Sequence, residues 1–468
     1  MAIIFDLETD GFLEELTKIH CNVLYDTDKH DYETYDPEQG AIIDSIRRLR
    51  EAECIIGHNI INFDIPTIKK LFPDFEVTGN LIDTYVWAAC AFPNIKDIDW
   101  GLYRKGLLPA SLIGKHTLES YGYRLGVYKG VFGKTTDWQK WTPEMSEYCK
   151  QDVTVTKRLV EKLTTKNVPE EQLDIEHQVY EILTRQMRHG ILFDIKAAEA
   201  LYVKLSDKRE KLREKIQNTF PPFYKRKGKQ FTPKRNNKAK GYIVGATCQH
   251  IELTEFNPNS AIHIARMLMI KYNWIPTDFA DKQSPSLELQ FQYDRLGIFS
   301  NTIPTIDDEI LKRLPYPEAK PLAKFQLLQK RCAQLGEGRE AWLNHYNKET
   351  GRIYGVINQF GTVTGRCNHF KPNLGQVVAA HHPWGKEFRS LFTVPKGFKL
   401  VGVDADGLEA RCKAHYLARY DNKAFIETIL KGKKADGTDT HSLNCAILGI
   451  KSRDIAKTWY YAWMYGSG

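Results

Sequence analysis

The sequence predicts an α/β fold with mixed sheets, and three stretches carry that expectation. Ala2 to Leu7 is an apolar run at the start of the chain, suited to a buried strand, that carries Asp6 and leads directly to Glu8. Glu170 to Arg188 and Lys196 to Phe220 place apolar residues at helical spacing among many charges, which reads as two long helices forming a projecting hairpin. Lys399 to Asp421 combines both periods. Leu400, Val401 and Val403 form a short apolar run ending on Asp404, after which Leu408, Cys412 and Tyr416 recur at every fourth residue. That is a strand handing over to a helix, with a carboxylate at the junction.

At 468 residues the chain holds two or three domains with large cores. Its 42% hydrophobic and 26% charged residues are ordinary for a globular protein. No apolar run approaches the roughly 18 residues that span a bilayer, so no membrane partner is expected. The N-terminus meets an acid at Asp6 and lacks the basic flank of a signal peptide. The nine cysteines are dispersed, odd in number and without a CxxC pair, which argues against a disulfide framework or a zinc site and for reduced thiols in a cytoplasm. A net charge of +8 suits a polyanionic partner without identifying one.

Asp6 and Glu8 are two apart on a strand and face the same side, so both can reach one metal cluster. Glu53 to His58 reads as a second strand, followed by HNIINFD with Asp64 at a helix start before Pro66. Tyr148 and Asp152 are four apart on a helical pattern and share a face. Any one of these acids alone is more often a solvated surface charge. Asp83 reads as a helix cap or a supporting residue, and Trp138 and Trp141 as core aromatics.

Further along, Gly190 is placed to end the first long helix and Asp194 to cap the next. Tyr224 to Lys240 contains no acid and many cations, among them Lys225, Arg226 and Lys227. It reads as a contact to a phosphate backbone, with a solvated loop as the alternative. Ser260 reads as the cap of a helix over Ala261 to Tyr272, and Glu318 to Gly336 as another helix. Arg352 to Gln376 has the alternation and glycines of strands and tight turns.

Asp404 at a strand end is suited to Mg2+, which takes one or two carboxylates, waters and substrate phosphates; the alternative is a helix cap. Arg453, Lys457, Tyr461 and Tyr465 are four apart, so each step drifts by about 40° and the set wraps one broad helix face. Two cations followed by two aromatics suit a triphosphate followed by a base and sugar.

At these two stretches the chain resembles the family A DNA polymerases, most closely the replicative enzymes of short-tailed bacteriophages. Lys399 to Asp421 is similar to their motif A, usually DxSGLExR, and Arg453 to Gly466 to motif B, RxxxKxxx[FY]xxxYG. Thr364, Gly365 and Arg366 match the TGR element, and Asn373 with Gln376 the PNLxQ element. Asp6 and Glu8, Asp64, and Tyr148 with Asp152 resemble the three motifs of the DEDD proofreading exonucleases, in the subgroup with a tyrosine.

The resemblance implies an RNase H-like 3'-5' exonuclease domain over 1–168 and a helical thumb over 169–345 with a short basic insertion at about 221–255. A partial palm and fingers over 346–468 would follow. It implies two Mg2+ ions per active centre, with Mn2+ as a substitute. Asp6, Glu8, Asp64 and Asp152 would be ligands in one centre, where Tyr148 orients the attacking water. Asp404 and the Ala405 carbonyl would be ligands in the other. Arg453, Lys457 and His441 would take the triphosphate, Tyr461 would stack on the incoming nucleotide, and Glu409 would block a ribose 2' hydroxyl. Arg366 and Gln376 would grip primer-template DNA, and deoxynucleoside triphosphates would be the substrates. Some phage relatives recruit thioredoxin through a larger insertion; the short one here argues against a thioredoxin-like processivity factor.

Three departures stand out. Asp406 occupies the usual Ser position of motif A, the loop KGKKADGTDTH before His441 is long, and the HDE of motif C does not occur at the end of the sequence. The expectation is therefore the N-terminal half of a split polymerase that joins a separate C-terminal half, acting in the cytoplasm of an infected bacterial host. The alternatives are a stand-alone 3'-5' exonuclease whose C-terminal region clamps DNA, and a non-catalytic DNA-binding fragment.

Overall fold

A computed structural model describes residues 1–128, 130, 132–134, 136–280, 283–421 and 423–466. They divide into two compact units, Met1–Pro395 and Lys396–Gly468.

The first unit opens with a five-stranded sheet. β1 (Ala2–Thr9), β2 (Ile19–Asp26) and β3 (Asp31–Tyr35) pair antiparallel, and β4 (Cys54–Gly57) and β5 (Asn80–Asp83) continue in parallel from the other edge of β1, in the order β3-β2-β1-β4-β5. Parallel neighbours need crossover connections, and these contain α1 (Ile42–Glu51) and α2 (Asp64–Leu71). Beyond β5 come α3 (Thr84–Ala91), α4 (Ile95–Arg104), α5 (Leu118–Leu125) and the long α6 (Pro143–Thr164), whose first residue is a proline with no N–H to lose.

The alternation of β1 divides its side chains between two cores. Ile3, Phe5 and Leu7 pack with Ile46, Leu49 and Ile68 of α1 and α2. Ile4 faces the opposite way, among Val23 of β2 and Met145, Cys149 and Val153 of α6. Asp6 and Glu8 share the parity of Ile4, so strand geometry turns both acids toward α6. Trp138 and Trp141 pack against this second core, as expected.

α7 (Glu170–His189) packs on α3, and β6 (Ile191–Phe193) leads from it to α8 (Ile195–Thr219). Gly190 follows α7 at φ +60°, and the Asp194 carboxylate accepts the Ala197 N–H at 3.0 Å to cap α8. The first part of the basic stretch is not a loop: β7 (Phe223–Phe231) pairs antiparallel with β8 (Cys248–Thr254). The chain continues through α9 (Ala261–Tyr272), capped by Ser260, then α10 (Leu287–Leu296), α11 (Asp308–Arg313) and α12 (Ala319–Cys332). These helices enclose Phe220, Phe256, Leu268, Tyr293 and Phe325.

The two long helices do not form the projecting hairpin that their charge suggested. α8 packs on α12, where Arg209 donates to Gln329 at 3.0 Å and to Glu337 at 2.6 Å, while α7 stays with α3. The reason lies in what joins them. β9 (Tyr346–Asn347) and β10 (Arg352–Ile353) are followed by β11 (Val356–Asn358), β12 (Asn368–Phe370), α13 (Gly385–Ser390) and β13 (Phe392–Thr393), and β6 is held between β10 and β13. Above that sheet Trp342 is fully buried against Phe193, Phe388 and Phe392.

The second unit contains α14 (Leu408–Leu417), α15 (Ala424–Lys431), α16 (Thr440–Leu448) and α17 (Arg453–Met464). The Lys413 ammonium lies 3.9 Å from the Trp463 ring, 5.1 Å from Tyr460 and 5.7 Å from Phe425, so one cation joins α14, α15 and α17. The strand expected at Leu400 to Val403 is not formed; the run is exposed, Val403 at 95%. A strand needs a neighbour for its backbone donors and acceptors, and among the described residues this unit has no strand. Nor does Asp404 cap the helix, which starts after Gly407 at φ +58°. Among the described residues, no helix is long and apolar enough to cross a membrane.

Trp342→Ala is expected to destabilise the first unit by about 3–5 kcal/mol, the range for removing a buried aromatic, measured by urea unfolding monitored by circular dichroism.

Candidate functional site

Two groups of side chains merit a chemical reading. The first lies where β1 meets α6: Asp6, Glu8 and Asp152 each offer a carboxylate oxygen, and these oxygens lie within 4.8 Å of one another. Asp152 is buried and the two strand acids are half-buried. Oxygen donors in this number suit a hard divalent cation, which takes carboxylates and waters. The Cys149 thiol, one residue beyond Tyr148, donates to the Asp6 carbonyl at 3.1 Å. Burial holds that thiol well above its ordinary pKa, so it remains a neutral donor beneath the acids.

Asp64 is buried at the first turn of α2 but does not enter the 4.8 Å set. Tyr148 stands one helical turn before Asp152, packed against Phe132 at 5.4 Å and Trp138 at 6.4 Å between ring centres. Its hydroxyl has little room: a side chain at Gly133 would come within 2.9 Å of it. Sequence reasoning placed these five residues on the right elements.

Asp83 proves to be the expected helix cap and more. It is wholly buried and accepts N–H bonds from Asn59 at 2.7 Å, Ile61 at 3.0 Å and Tyr85 at 2.9 Å, tying the HNIINFD loop to the start of α3. Burial pushes its carboxyl up to about 6, although the three backbone donors pull the other way.

The second group lies within the C-terminal unit. Asp439 caps α16 through the His441 N–H at 3.1 Å and accepts from Arg453 of α17 at 2.7 Å. The Arg453 guanidinium, with Ser442 and backbone bonds, holds the Asp439 carboxyl far below the carboxylate range despite its burial. His441 lies 6.0 Å from Tyr461 between ring centres; burial and then Arg453 and Lys457 lower its pKa, which puts three potential cations together. Glu409 and Asp406 are near enough to Tyr461 to raise its phenol, after burial itself. The structure thus groups Glu409, His441, Arg453, Lys457 and Tyr461. Asp404 and Ala405 are exposed and lie outside any helix or strand. Asp439 is the residue that sequence reasoning left without a role, although its place two before His441 was visible.

Arg366 and Gln376 are exposed, Arg366 in the turn between β11 and β12. On β7, Lys225 and Lys227 pair with Glu252 of β8 at 3.9 Å and 3.0 Å, and the Arg226 backbone donates to Glu288 at 3.2 Å. Part of the basic charge is therefore answered within the hairpin.

Residues 243–468 match the profile of DNA polymerase family A, and residues 3–98 that of the RNase H superfamily. The DNA-directed DNA polymerase of Escherichia phage T7 is 33% identical across the whole of this chain, which covers 76% of that protein. The chain belongs to DNA polymerase family A. The DNA-directed DNA polymerase of Enterobacteria phage T3 is 32% identical, with the same coverage. In fold, this family A polymerase is similar to the POL domain of Pol1 from M. smegmatis, solved with DNA primer-template and dNTP. The TM-score is 0.57 at 15% identity, covering 99% of this chain and 67% of that one. The polymerase thus carries an RNase H-like exonuclease domain, and β1 with its two acids lies inside the matched residues. Both families use divalent metal ions, which agrees with the carboxylate trio.

Asp152→Asn should raise the melting temperature in EDTA by relieving repulsion among the three acids, and should abolish the further rise that Mn2+ gives the unchanged chain. Differential scanning fluorimetry with and without Mn2+ reads both effects.

Proposed function

We propose that the chain is the replicative DNA polymerase of a bacteriophage, at work in the cytoplasm of an infected bacterium, and that its N-terminal carboxylates hydrolyse DNA from the 3' end. The observation that carries the nuclease reading is the convergence of Asp6, Glu8 and Asp152 within 4.8 Å. These three, joined by Asp64 from the neighbouring helix start, would hold two Mg2+ ions, or Mn2+ in their place. Bound there, the metal supplies charge neutralisation at the scissile phosphate and a more acidic water. Tyr148 orients that water through its hydroxyl, and its aromatic packing keeps the phenol in one place. Cys149 contributes a neutral thiol that fixes the Asp6 backbone.

For synthesis, the reading assigns Arg453, Lys457 and His441 to the triphosphate, with Asp439 aligning Arg453. Tyr461 stacks on the incoming nucleotide, and Glu409, close to its phenol, excludes a 2' hydroxyl. Transfer to the primer 3' hydroxyl is then a matter of positioning and charge neutralisation. Asp404 and the Ala405 carbonyl would be metal ligands there, with Arg366, Gln376, Lys225, Arg226 and Lys227 holding primer-template DNA. The functional division follows 1–168 for the nuclease, 169–345 for the thumb and 346–468 for the palm and fingers portion.

The exposed run Leu400 to Val403 supports one further element of the proposal: a strand from outside residues 1–468 pairs with it and brings a second acidic motif to Asp404. On this reading polymerisation needs that strand, whereas hydrolysis does not.

The test is a 5'-labelled single strand incubated with the purified chain and Mg2+. The proposal expects products shortened from the 3' end, none in EDTA, and a loss of at least about 100-fold in Asp6→Ala, since even outer-shell partners of metal ligands are worth roughly 10–100-fold. An intact strand in both Mg2+ and Mn2+ would refute the nuclease reading.

A further inference from the structure

The loop that delivers Asp64 is fixed from behind by residues outside the nuclease motifs. It leaves β4 at Gly57, where a Cβ would lie 2.3 Å from the Ile60 side chain and 2.9 Å from the Phe5 carbonyl. Asn59 then turns into the left-handed region at φ +64°, a conformation asparagine tolerates better than most residues. Asp83 satisfies the Asn59 and Ile61 N–H groups, and the Asn59 side chain is held separately: its Oδ1 accepts the Tyr180 hydroxyl at 2.7 Å.

Tyr180 belongs to α7, and that helix grips the loop once more directly and once through Asp83. Arg188 donates to the Asn62 carbonyl at 2.8 Å, and the Asp83 N–H donates to His177 Nε2 at 2.8 Å. His177, Tyr180 and Arg188 are spaced by three and eight residues, so one face of α7 makes all of these contacts. Beside Tyr180, Ile61 and Val86 form a small core that also takes Phe360, just past β11. The same side of α7 is fastened to that strand region: Gln359 donates to the Glu176 carbonyl at 3.0 Å, and the Ile357 N–H to Met187 Sδ at 3.1 Å.

We propose that Tyr180 is a positioning residue for 3'-5' hydrolysis: through Asn59 it holds the loop from His58 to Asp64 in the conformation that presents Asp64 to the carboxylate trio. The proposal rests on the nuclease reading above. Its physical basis is that a left-handed residue at the head of a catalytic loop stays there only while its surroundings over-determine it. Asp83 supplies the backbone half of that restraint and Tyr180 the side-chain half. Because α7 also fastens the start of the hairpin that carries Arg366, the nuclease loop is braced by the DNA-gripping part of the polymerase.

The test compares the full chain with Tyr180→Phe, which keeps the ring and deletes the hydroxyl. For hydrolysis of a single strand with Mg2+, kcat is expected to fall about 3–10-fold, the effect of one hydrogen bond, with KM for DNA unchanged. Hydrogen exchange of the peptide spanning residues 58–64 is expected to quicken, while the melting temperature moves by no more than about 2 °C. Asn59→Ala is expected to lose at least as much activity, and the double variant no more than Asn59→Ala alone, since both remove the same bond. A Tyr180→Phe kcat equal to that of an active unchanged chain, or losses that multiply in the double variant, would overturn the proposal. An unchanged chain that leaves the strand intact would instead overturn the nuclease reading and the proposal with it.

Discussion

Three like charges brought together are the constraint on which the first unit turns. Two carboxylates about 5 Å apart repel by about 3 kcal/mol at an effective dielectric of about 20, and here three converge within 4.8 Å. A fold tolerates this only if apolar packing elsewhere outweighs it. Ile4, Val23, Met145, Cys149 and Val153 provide that packing at the seam between β1 and α6. A divalent cation placed among the three carboxylates would offset that repulsion.

The C-terminal unit follows a different logic. Two of its charges are held in place: Asp439 pairs with Arg453, and three aromatic rings surround Lys413. These contacts set α16 and α17 side by side and bring His441, Arg453, Lys457 and Tyr461 into one neighbourhood. What remains open is the chain before α14, where Leu400, Val401 and Val403 are exposed and Asp404 has no sheet to hold it. Helix packing thus brings the side chains of the second group together, while the run before α14 stays exposed.

The parts legible in the sequence were those fixed by local periodicity. The period of two put Asp6 and Glu8 on one side of β1, and the period of 3.6 put Tyr148 and Asp152 on one face of α6. Caps at Ser260 and Asp194 were equally plain, because their side chains act within three residues. What failed depended on distant partners. Leu400 to Val403 has the pattern of a strand but, among the described residues of its unit, no strand to pair with, and α7 and α8 look like a hairpin until β6 enters a sheet with β10 and β13. The cations of β7 read as a phosphate contact, or else a solvated loop, because Glu252, which answers Lys225 and Lys227, lies across a hairpin in another segment. The bond from Tyr180 to Asn59 spans 121 residues and left no trace in either segment.

The claim that the acids of β1 and α6 form a metal centre is tested most directly by crystals of the chain soaked in Mn2+, with data collected at the manganese absorption edge. The account predicts an anomalous peak bounded by the Asp6, Glu8 and Asp152 carboxylates. Diffraction showing manganese bound elsewhere at saturating concentration, with no peak between those three side chains, would contradict it.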